Sequence, residues 1–148
     1  MKILQASTNL ALSYKDQNFT YLDLLGKVAG YHELLNPFSP KKVMIYSENR
    51  PEWIFAFYGA WAQKAVVVPA DVMSTAPELN YMIADCQPDV IFCSSAKKSV
   101  VDSALETIKK PTQVLVFENL QDLPKAQEID GMEISDFQQT ALIIYTSG

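Results

Sequence analysis

The last four residues, Tyr145–Gly148, are the part of the sequence whose types and spacing best suit phosphate chemistry. They follow an apolar run at 141–144, which predicts a buried strand that enters a turn of hydroxyl residues and glycine. Such a turn presents backbone N–H groups and hydroxyls to the oxygens of a phosphate. By itself, however, a Thr-Ser-Gly sequence after a strand more often forms an ordinary turn. Other parts of the sequence are therefore needed to distinguish a phosphate-binding turn from an ordinary one.

The side chains and motifs that most other site chemistries need are absent. His32 is the only histidine, and its place on a predicted helix surface favours a bystander over a general base. Cys86 and Cys93 lie in apolar segments and predict buried reduced thiols, which favours a cytoplasmic location. Asp85 and Asp89 lie where a predicted helix gives way to a strand, which is typical of solvated boundary residues. There is no GxGxxG or GxxxxGK[ST] motif. We therefore assign no catalytic residue and no metal site to these 148 residues.

Composition and charge indicate a globular protein domain. The 148 residues are 49% hydrophobic and 20% charged, and a compact fold of this length has room for one substantial core. The net charge of −5 argues against a nucleic-acid partner, because neutralising phosphates requires a basic face. No segment reaches the roughly 18–20 uninterrupted apolar residues of a transmembrane helix, which leaves peripheral membrane contact open.

Helical and strand patterns alternate along the chain. Apolar spacing predicts a helix over 20–35 with a capping box of Thr20 and Asp23, ended by Asn36 and Pro37. Further helices are predicted from Pro51, from a second capping box at Thr75 and Glu78, and from Ser99 with Asp102, the last one closing before Pro111. The helix after Pro51 is apolar all round, which predicts full burial. Strands are predicted at 41–47, 66–70, 89–95, 112–118 and 140–146.

This alternation predicts an α/β fold with a doubly wound parallel sheet flanked by helices. Strands joined by helices, and not by tight turns, are parallel and connected by right-handed crossovers. Residues 119–139 break the rhythm with many acidic residues and with Pro124 and Gly131. We interpret this stretch as an acidic surface excursion.

Three stretches carry a resemblance to a known family: NRPEW at 49–53, AVVVPADVMSTAPELNYMI at 65–83 and IIYTSG at 143–148. From about Phe19 onward the sequence resembles the opening of the AMP-forming acyl-CoA synthetases, within the adenylate-forming ligase superfamily. The resemblance implies that residues 1–148 are the N-terminal fragment of the AMP-binding domain. The rest of that large domain and the C-terminal domain, with its catalytic lysine, would then lie outside this sequence.

The resemblance also implies a function. Such an enzyme activates a carboxylic acid with ATP and Mg²⁺, forms an acyl-AMP and transfers the acyl group to coenzyme A. Tyr145, Thr146, Ser147 and Gly148 match the start of the family's ATP phosphate loop, which continues into Pro-Lys-Gly. The fragment alone is expected to be inactive. Two departures, the turn NPFSPKK at 36–42 and Lys64 in place of a common glycine, put only local geometry in doubt.

Two alternatives remain open at this stage. Amino-acid-activating members of the superfamily usually show a tyrosine before the Val-Pro and an Asp-Pro after it, whereas this sequence has VVVPADVMST at 66–75. That difference favours a fatty or other carboxylic acid, as in a long-chain-fatty-acid–CoA ligase.

The second alternative is a self-sufficient α/β module of flavodoxin-like shape that binds a nucleotide or partner without catalysis. Because the final apolar strand would lack its neighbours, we expect the fragment to self-associate.

Overall fold

The computed structural model describes residues 2–120, 122–124, 131–133 and 139–146. The strands in chain order are β1 (Lys2–Gln5), β2 (Leu10–Tyr14), β3 (Gln17–Thr20), β4 (Lys42–Tyr46), β5 (Val66–Pro69), β6 (Val90–Cys93), β7 (Gln113–Val116) and β8 (Gly131–Glu133). The α-helices are α1 (Tyr21–Leu35), α2 (Pro51–Ala62), α3 (Ala76–Cys86) and α4 (Lys98–Leu105). Short 3₁₀ helices follow α1, β6 and β7, at Asn36–Phe38, Ser95–Lys97 and Phe117–Asn119.

Four of the strands form a parallel sheet in the order β5-β4-β6-β7. Val43 of β4 pairs with Val67 of β5 on one side and with Val90 of β6 on the other. Helices α2, α3 and α4 connect successive strands of this sheet. The predicted α/β class, with a parallel sheet flanked by helices, is therefore confirmed.

Helices cover both faces of the sheet. Along β4, Val43 and Ile45 join a core cluster with α1 and α2, while Met44 and Tyr46 join a second cluster with α3 and α4. All four side chains are fully buried, and full burial of each of the three aliphatic ones, Val43, Met44 and Ile45, contributes about 1.5–3 kcal/mol. A strand buried on both faces is apolar at every position, which explains why the run VMIY predicts its strand so clearly.

Both predicted capping boxes are present. The Thr20 N–H donates to Asp23 Oδ2 at 2.8 Å and the Asp23 N–H donates to Thr20 Oγ1 at 3.2 Å, which fixes the start of α1. Thr75 and Glu78 form the same pair at the start of α3, where the Thr75 N–H donates to Glu78 Oε2 at 2.7 Å. A capping box satisfies N–H groups that have no partner within the helix. The starts of these two helices are therefore determined by residues only three positions apart in sequence.

The prediction that α2 is buried all round is wrong. Phe55 and Ala56 are buried, but Trp53, Phe57 and Trp61 are half-buried. These three rings pack on one another, with ring centroids 5.4 Å apart for Trp53 and Phe57 and 4.7 Å apart for Phe57 and Trp61. Only one side of α2 faces α1 and the sheet, so the outer aromatic side chains cover each other.

The prediction that Ser99 and Asp102 open α4 is wrong, although the helix ends before Pro111, as predicted. The helix begins at Lys98 directly after the 3₁₀ turn, and it ends at Leu105, well before Pro111. Ser99 therefore lies inside the first turn and does not cap the helix. The carboxylate of Asp102 accepts a hydrogen bond from Lys98 Nζ one turn earlier, a pairing that favours an exposed helix.

None of the antiparallel strands is predicted from the sequence. Strands β2 and β3 form a hairpin whose turn contains Lys15 at a positive φ of 51°. Strand β1 pairs with β8, which lies within the predicted excursion at 119–139. The remaining residues of that excursion, at 121, 125–130 and 134–138, lie outside the described residues. These strands have only three to five residues, and none of them contains a run of four apolar residues like VMIY on β4.

Candidate functional site

The segment that leads towards the candidate phosphate loop is not the regular strand predicted at 140–146. It runs parallel to β5 but forms a single bridge, between Leu142 and Val67. The Val67 N–H donates to the Ala141 carbonyl at 3.0 Å, and the Ile143 N–H donates to the Val67 carbonyl at 2.9 Å. The segment therefore joins the sheet edge beside β5, and its parallel direction carries Tyr145 towards the carboxyl edge of the sheet.

Side chains hold this segment in place on both sides of the bridge. Trp61 Nε1 donates to the Ala141 carbonyl at 2.9 Å. The Tyr145 hydroxyl donates to Asp85 Oδ2 at 2.5 Å. Leu142 packs against the core cluster of α1 and α2, while Ile143 and Tyr145 pack against the cluster of α3 and α4. The side chains thus alternate as in a strand, although the backbone pairing does not continue.

The structure places two of the four candidate phosphate-binding residues. The Tyr145 side chain is half-buried and its hydroxyl is bonded to Asp85; burial, and then this hydrogen bond, raise the pKa of Tyr145 well above its usual value. Thr146 is exposed. Ser147 and Gly148 lie outside the described residues. The phosphate-binding role of all four residues stays a prediction.

The interpretation as solvated boundary residues is wrong for Asp89, which is half-buried, whereas Asp85 is exposed in the last turn of α3, as predicted, but also has a hydrogen-bond partner. Asp85 accepts the Tyr145 hydrogen bond. Asp89 Oδ2 accepts the N–H groups of Lys41 and Lys42 at 2.7 and 3.0 Å, and Lys110 Nζ lies 2.7 Å from its Oδ1. Burial opposes ionisation, but the hydrogen bonds from Lys110, Lys42 and Lys41 together hold the pKa of Asp89 below its usual value. Both carboxylates therefore fasten elements that are distant in sequence.

An ion-pair network that sequence reasoning missed joins three strand ends at the carboxyl edge of the sheet. Arg50, after β4, donates from Nη1 to Glu118 Oε1 at 2.5 Å and from Nε to Glu52 Oε2 at 2.9 Å. Glu118, after β7, also accepts the Ser95 N–H after β6 at 2.8 Å. Burial works against it, but the hydrogen bond from Arg50 is the main cause that lowers the pKa of Glu118. The NRP stretch alone carries no signal for these partners.

A family model described as "AMP-binding enzyme" matches residues 5–148. This chain belongs to the AMP-binding enzyme family. The match covers nearly the whole chain, and it confirms the resemblance drawn from NRPEW, the 65–83 stretch and IIYTSG. It also sets aside the alternative of an unrelated flavodoxin-like module.

Two curated proteins are similar to this member of the AMP-binding enzyme family. The D-alanine–D-alanyl carrier protein ligase of Staphylococcus haemolyticus is 27% identical over 140 residues, which are 94% of this chain and 26% of that protein. The mitochondrial malonate–CoA ligase ACSF3 of Xenopus laevis is 24% identical over 115 residues, 74% of this chain and 20% of that protein. The chain thus spans about a fifth to a quarter of the length of these relatives.

Solved structures show the same fold. The Mycobacterium tuberculosis fatty acyl CoA synthetase has a TM-score of 0.78 at 22% identity, over 89% of this chain and 28% of that chain. The O-succinylbenzoate coenzyme A synthetase of Bacillus subtilis, solved in complex with AMP, has a TM-score of 0.77 at 24% identity, over 94% of this chain and 35% of that chain. At these identities the likeness establishes the architecture of this AMP-binding family member, which agrees with the family match.

The cysteines of this AMP-binding family member are free and buried, as predicted. Burial raises the pKa of the Cys93 thiol to about 11, so this thiol is protonated and unreactive at neutral pH. In the part of the chain that the structure describes, no three His, Cys, Asp or Glu side chains are grouped closely enough to hold a metal ion. No helix among the same residues is long and apolar enough to cross a bilayer.

Proposed function

We propose that this chain is the N-terminal portion of a ligase that activates a carboxylic acid with ATP and transfers the acyl group to the thiol of coenzyme A. The main observation that supports this proposal is the family match over residues 5–148. Members of this family form adenylates, so ATP is the nucleotide substrate. Coenzyme A as acceptor and Mg²⁺ as the ion that accompanies ATP belong to the proposal.

In the proposed reaction, a carboxylate oxygen attacks the α-phosphorus of ATP and the bond to pyrophosphate breaks. The thiol sulfur then attacks the acyl carbonyl, and AMP leaves. The contribution proposed for this chain is phosphate binding by Tyr145–Gly148, where small residues let the backbone approach and hydroxyls donate. Mg²⁺ would neutralise negative charge on the phosphates. The anchoring contacts of Trp61, Val67 and Asp85 with 141–146 support this role, because they hold the entry to the loop at the sheet edge.

The proposal includes a division of the whole protein. Residues 1–148 would form the first part of the AMP-binding domain, with an acidic surface excursion at about 119–139. The rest of the large domain and a C-terminal domain with the catalytic lysine would follow. The 148-residue chain alone would then be inactive, because most of the site would lie beyond Gly148.

A fatty acid is the substrate class that we favour. The stretch VVVPADVMST at 66–75 lacks the tyrosine and the Asp-Pro that are usual in amino-acid-activating members. An amino acid is the second candidate, because the relative that acts on D-alanine matches 94% of this chain. For a long-chain acid, the proposal includes peripheral contact with a membrane. The two buried reduced cysteines favour the cytoplasm as location.

The test begins with the reading frame downstream of the Gly148 codon. We expect it to continue through Ser/Thr and Gly into Pro-Lys-Gly and then for several hundred residues. The complete protein should catalyse carboxylate-dependent exchange of pyrophosphate into ATP, assayed with fatty acids of several chain lengths, malonate and D-alanine. The highest kcat/KM should fall on a fatty acid. Exchange with D-alanine alone would select the second candidate, and a stop codon directly after Gly148 would contradict the ligase proposal.

A further inference from the structure

We propose that Asp85 is a positioning residue for the phosphate loop and acts through its hydrogen bond with the Tyr145 hydroxyl. This inference rests on the proposed function. The segment that enters the loop forms one bridge with the sheet, at Leu142. Three residues further on, the Tyr145 hydroxyl donates to Asp85 Oδ2 at 2.5 Å. The contact between Tyr145 and Asp85 therefore holds the segment at a point where backbone pairing with the sheet has ended.

The contact matters because the backbone beyond the bridge has little other support. The two backbone hydrogen bonds with Val67 involve Ala141 and Ile143. Within the described residues, no backbone hydrogen bond joins 144–146 to the sheet. Ile144 is 63% exposed, so it adds little packing. Within the described residues, the half-buried ring of Tyr145 and its hydroxyl are thus the contacts nearest to the loop.

Asp85 is well placed to hold that point, because its helix is fixed at both ends. The capping box of Thr75 and Glu78 sets the first turn of α3. At the last turn, Lys42 Nζ donates to the Cys86 carbonyl at 2.8 Å. A carboxylate near a helix C-terminus is disfavoured by the helix dipole, so the tyrosine donor stabilises Asp85 where its own helix does not. A hydrogen bond to a charged acceptor is about twice as strong as a neutral one.

Hydrogen exchange of the complete protein tests whether this hydrogen bond holds the segment in place. In Tyr145→Phe, which removes only the hydroxyl, the Ile143 amide should exchange about tenfold faster, while the amides of β4 are unchanged. Asp85→Asn keeps an acceptor without the charge, so its effect should be about threefold. Tyr81→Phe, at an exposed position on the same helix, and Asp16→Asn, in the exposed hairpin turn, are matched controls that should change nothing. Unaltered Ile143 exchange in Tyr145→Phe overturns the proposal.

Kinetics of the complete protein test the positioning role itself. Tyr145→Phe and Asp85→Asn should lower kcat/KM for ATP, by about tenfold in the Phe variant, with the KM for the acid unchanged. A simple loss of folded enzyme would lower kcat for both substrates and leave both KM values unaltered, and that result overturns the positioning role. If the wild-type protein shows no carboxylate-dependent exchange of pyrophosphate into ATP, the proposed function fails. The amide exchange of Ile143 still decides whether Asp85 holds the segment.

Discussion

Arg50 and Glu118 are 68 positions apart in sequence, yet Arg50 Nη1 lies 2.5 Å from Glu118 Oε1. The same glutamate accepts the Ser95 N–H, so one side chain joins the carboxyl ends of β4, β6 and β7. The Arg50 guanidinium also lies 5.2 Å from the centroid of the Phe117 ring. The side chain of Arg50 is 21% exposed and that of Glu118 is 40% exposed, so water screens this pair in part.

The Glu118→Gln variant should lose about 1–2 kcal/mol of unfolding free energy, because it removes the charge that Arg50 pairs with. Urea denaturation at pH 7 measures the loss. Asp102→Asn breaks the exposed ion pair with Lys98 and should cost less than about 0.5 kcal/mol. Equal losses in the two variants would mean that the Arg50–Glu118 ion pair stabilises the fold no more than an exposed surface ion pair does.

Stability should fall in acid, because folding lowers the pKa values of Glu118 and Asp89. A carboxylate with a lowered folded pKa contributes stability above its unfolded pKa, about 4, and loses it as pH falls through the folded value. The unfolding free energy should therefore decline from about pH 5 downward. Lys110→Gln removes the ion pair with Asp89 and should flatten this decline, whereas the exposed neighbour Lys109→Gln should not. Parallel pH profiles for both variants would contradict the prediction.

The two glycines Gly59 and Gly26 should respond oppositely to alanine. A Cβ on Gly59 would lie 2.6 Å from Tyr31 Cβ, because α1 and α2 approach closely there. Gly59→Ala should therefore cost about 1–3 kcal/mol. A Cβ on Gly26 would meet no atom within 4 Å, so Gly26→Ala should stabilise α1 by up to about 1 kcal/mol. Thermal unfolding of both variants checks the signs, and a stabilised Gly59→Ala would show that the helices can separate at no cost.

The isolated 148-residue chain should self-associate. The apolar segment at 140–146 lies at the edge of the sheet, and Ile144 within it is 63% exposed. Ile144→Lys should raise the monomer fraction in light scattering, because a charge on an exposed edge disfavours pairing between molecules. Met73→Lys, at a position that is 80% exposed elsewhere on the surface, is the control and should have no effect. A monodisperse wild-type monomer with cooperative unfolding at high temperature would contradict this prediction.

The sequence by itself determined the elements that depend on neighbours in the chain. The capping boxes at Thr20 and Thr75 and the run VMIY on β4 are local signals, and each predicted its element correctly. The prediction at Ser99 and Asp102 failed, because a 3₁₀ turn runs directly into α4 and leaves Ser99 inside the first turn. The stretches at 49–53, 65–83 and 143–148 together indicated the family, which the match over 5–148 confirms.

Only the tertiary structure decided which distant groups meet. The order β5-β4-β6-β7, the pairing of β1 with β8 and the contact of Asp85 with Tyr145 all join residues far apart in sequence. Periodicity and propensity describe a residue and its near neighbours, so they carry no information on such partners. The position of Asp85 at the exposed end of α3 could be predicted, but its partner lies 60 positions away, and chain folding alone brings the two together.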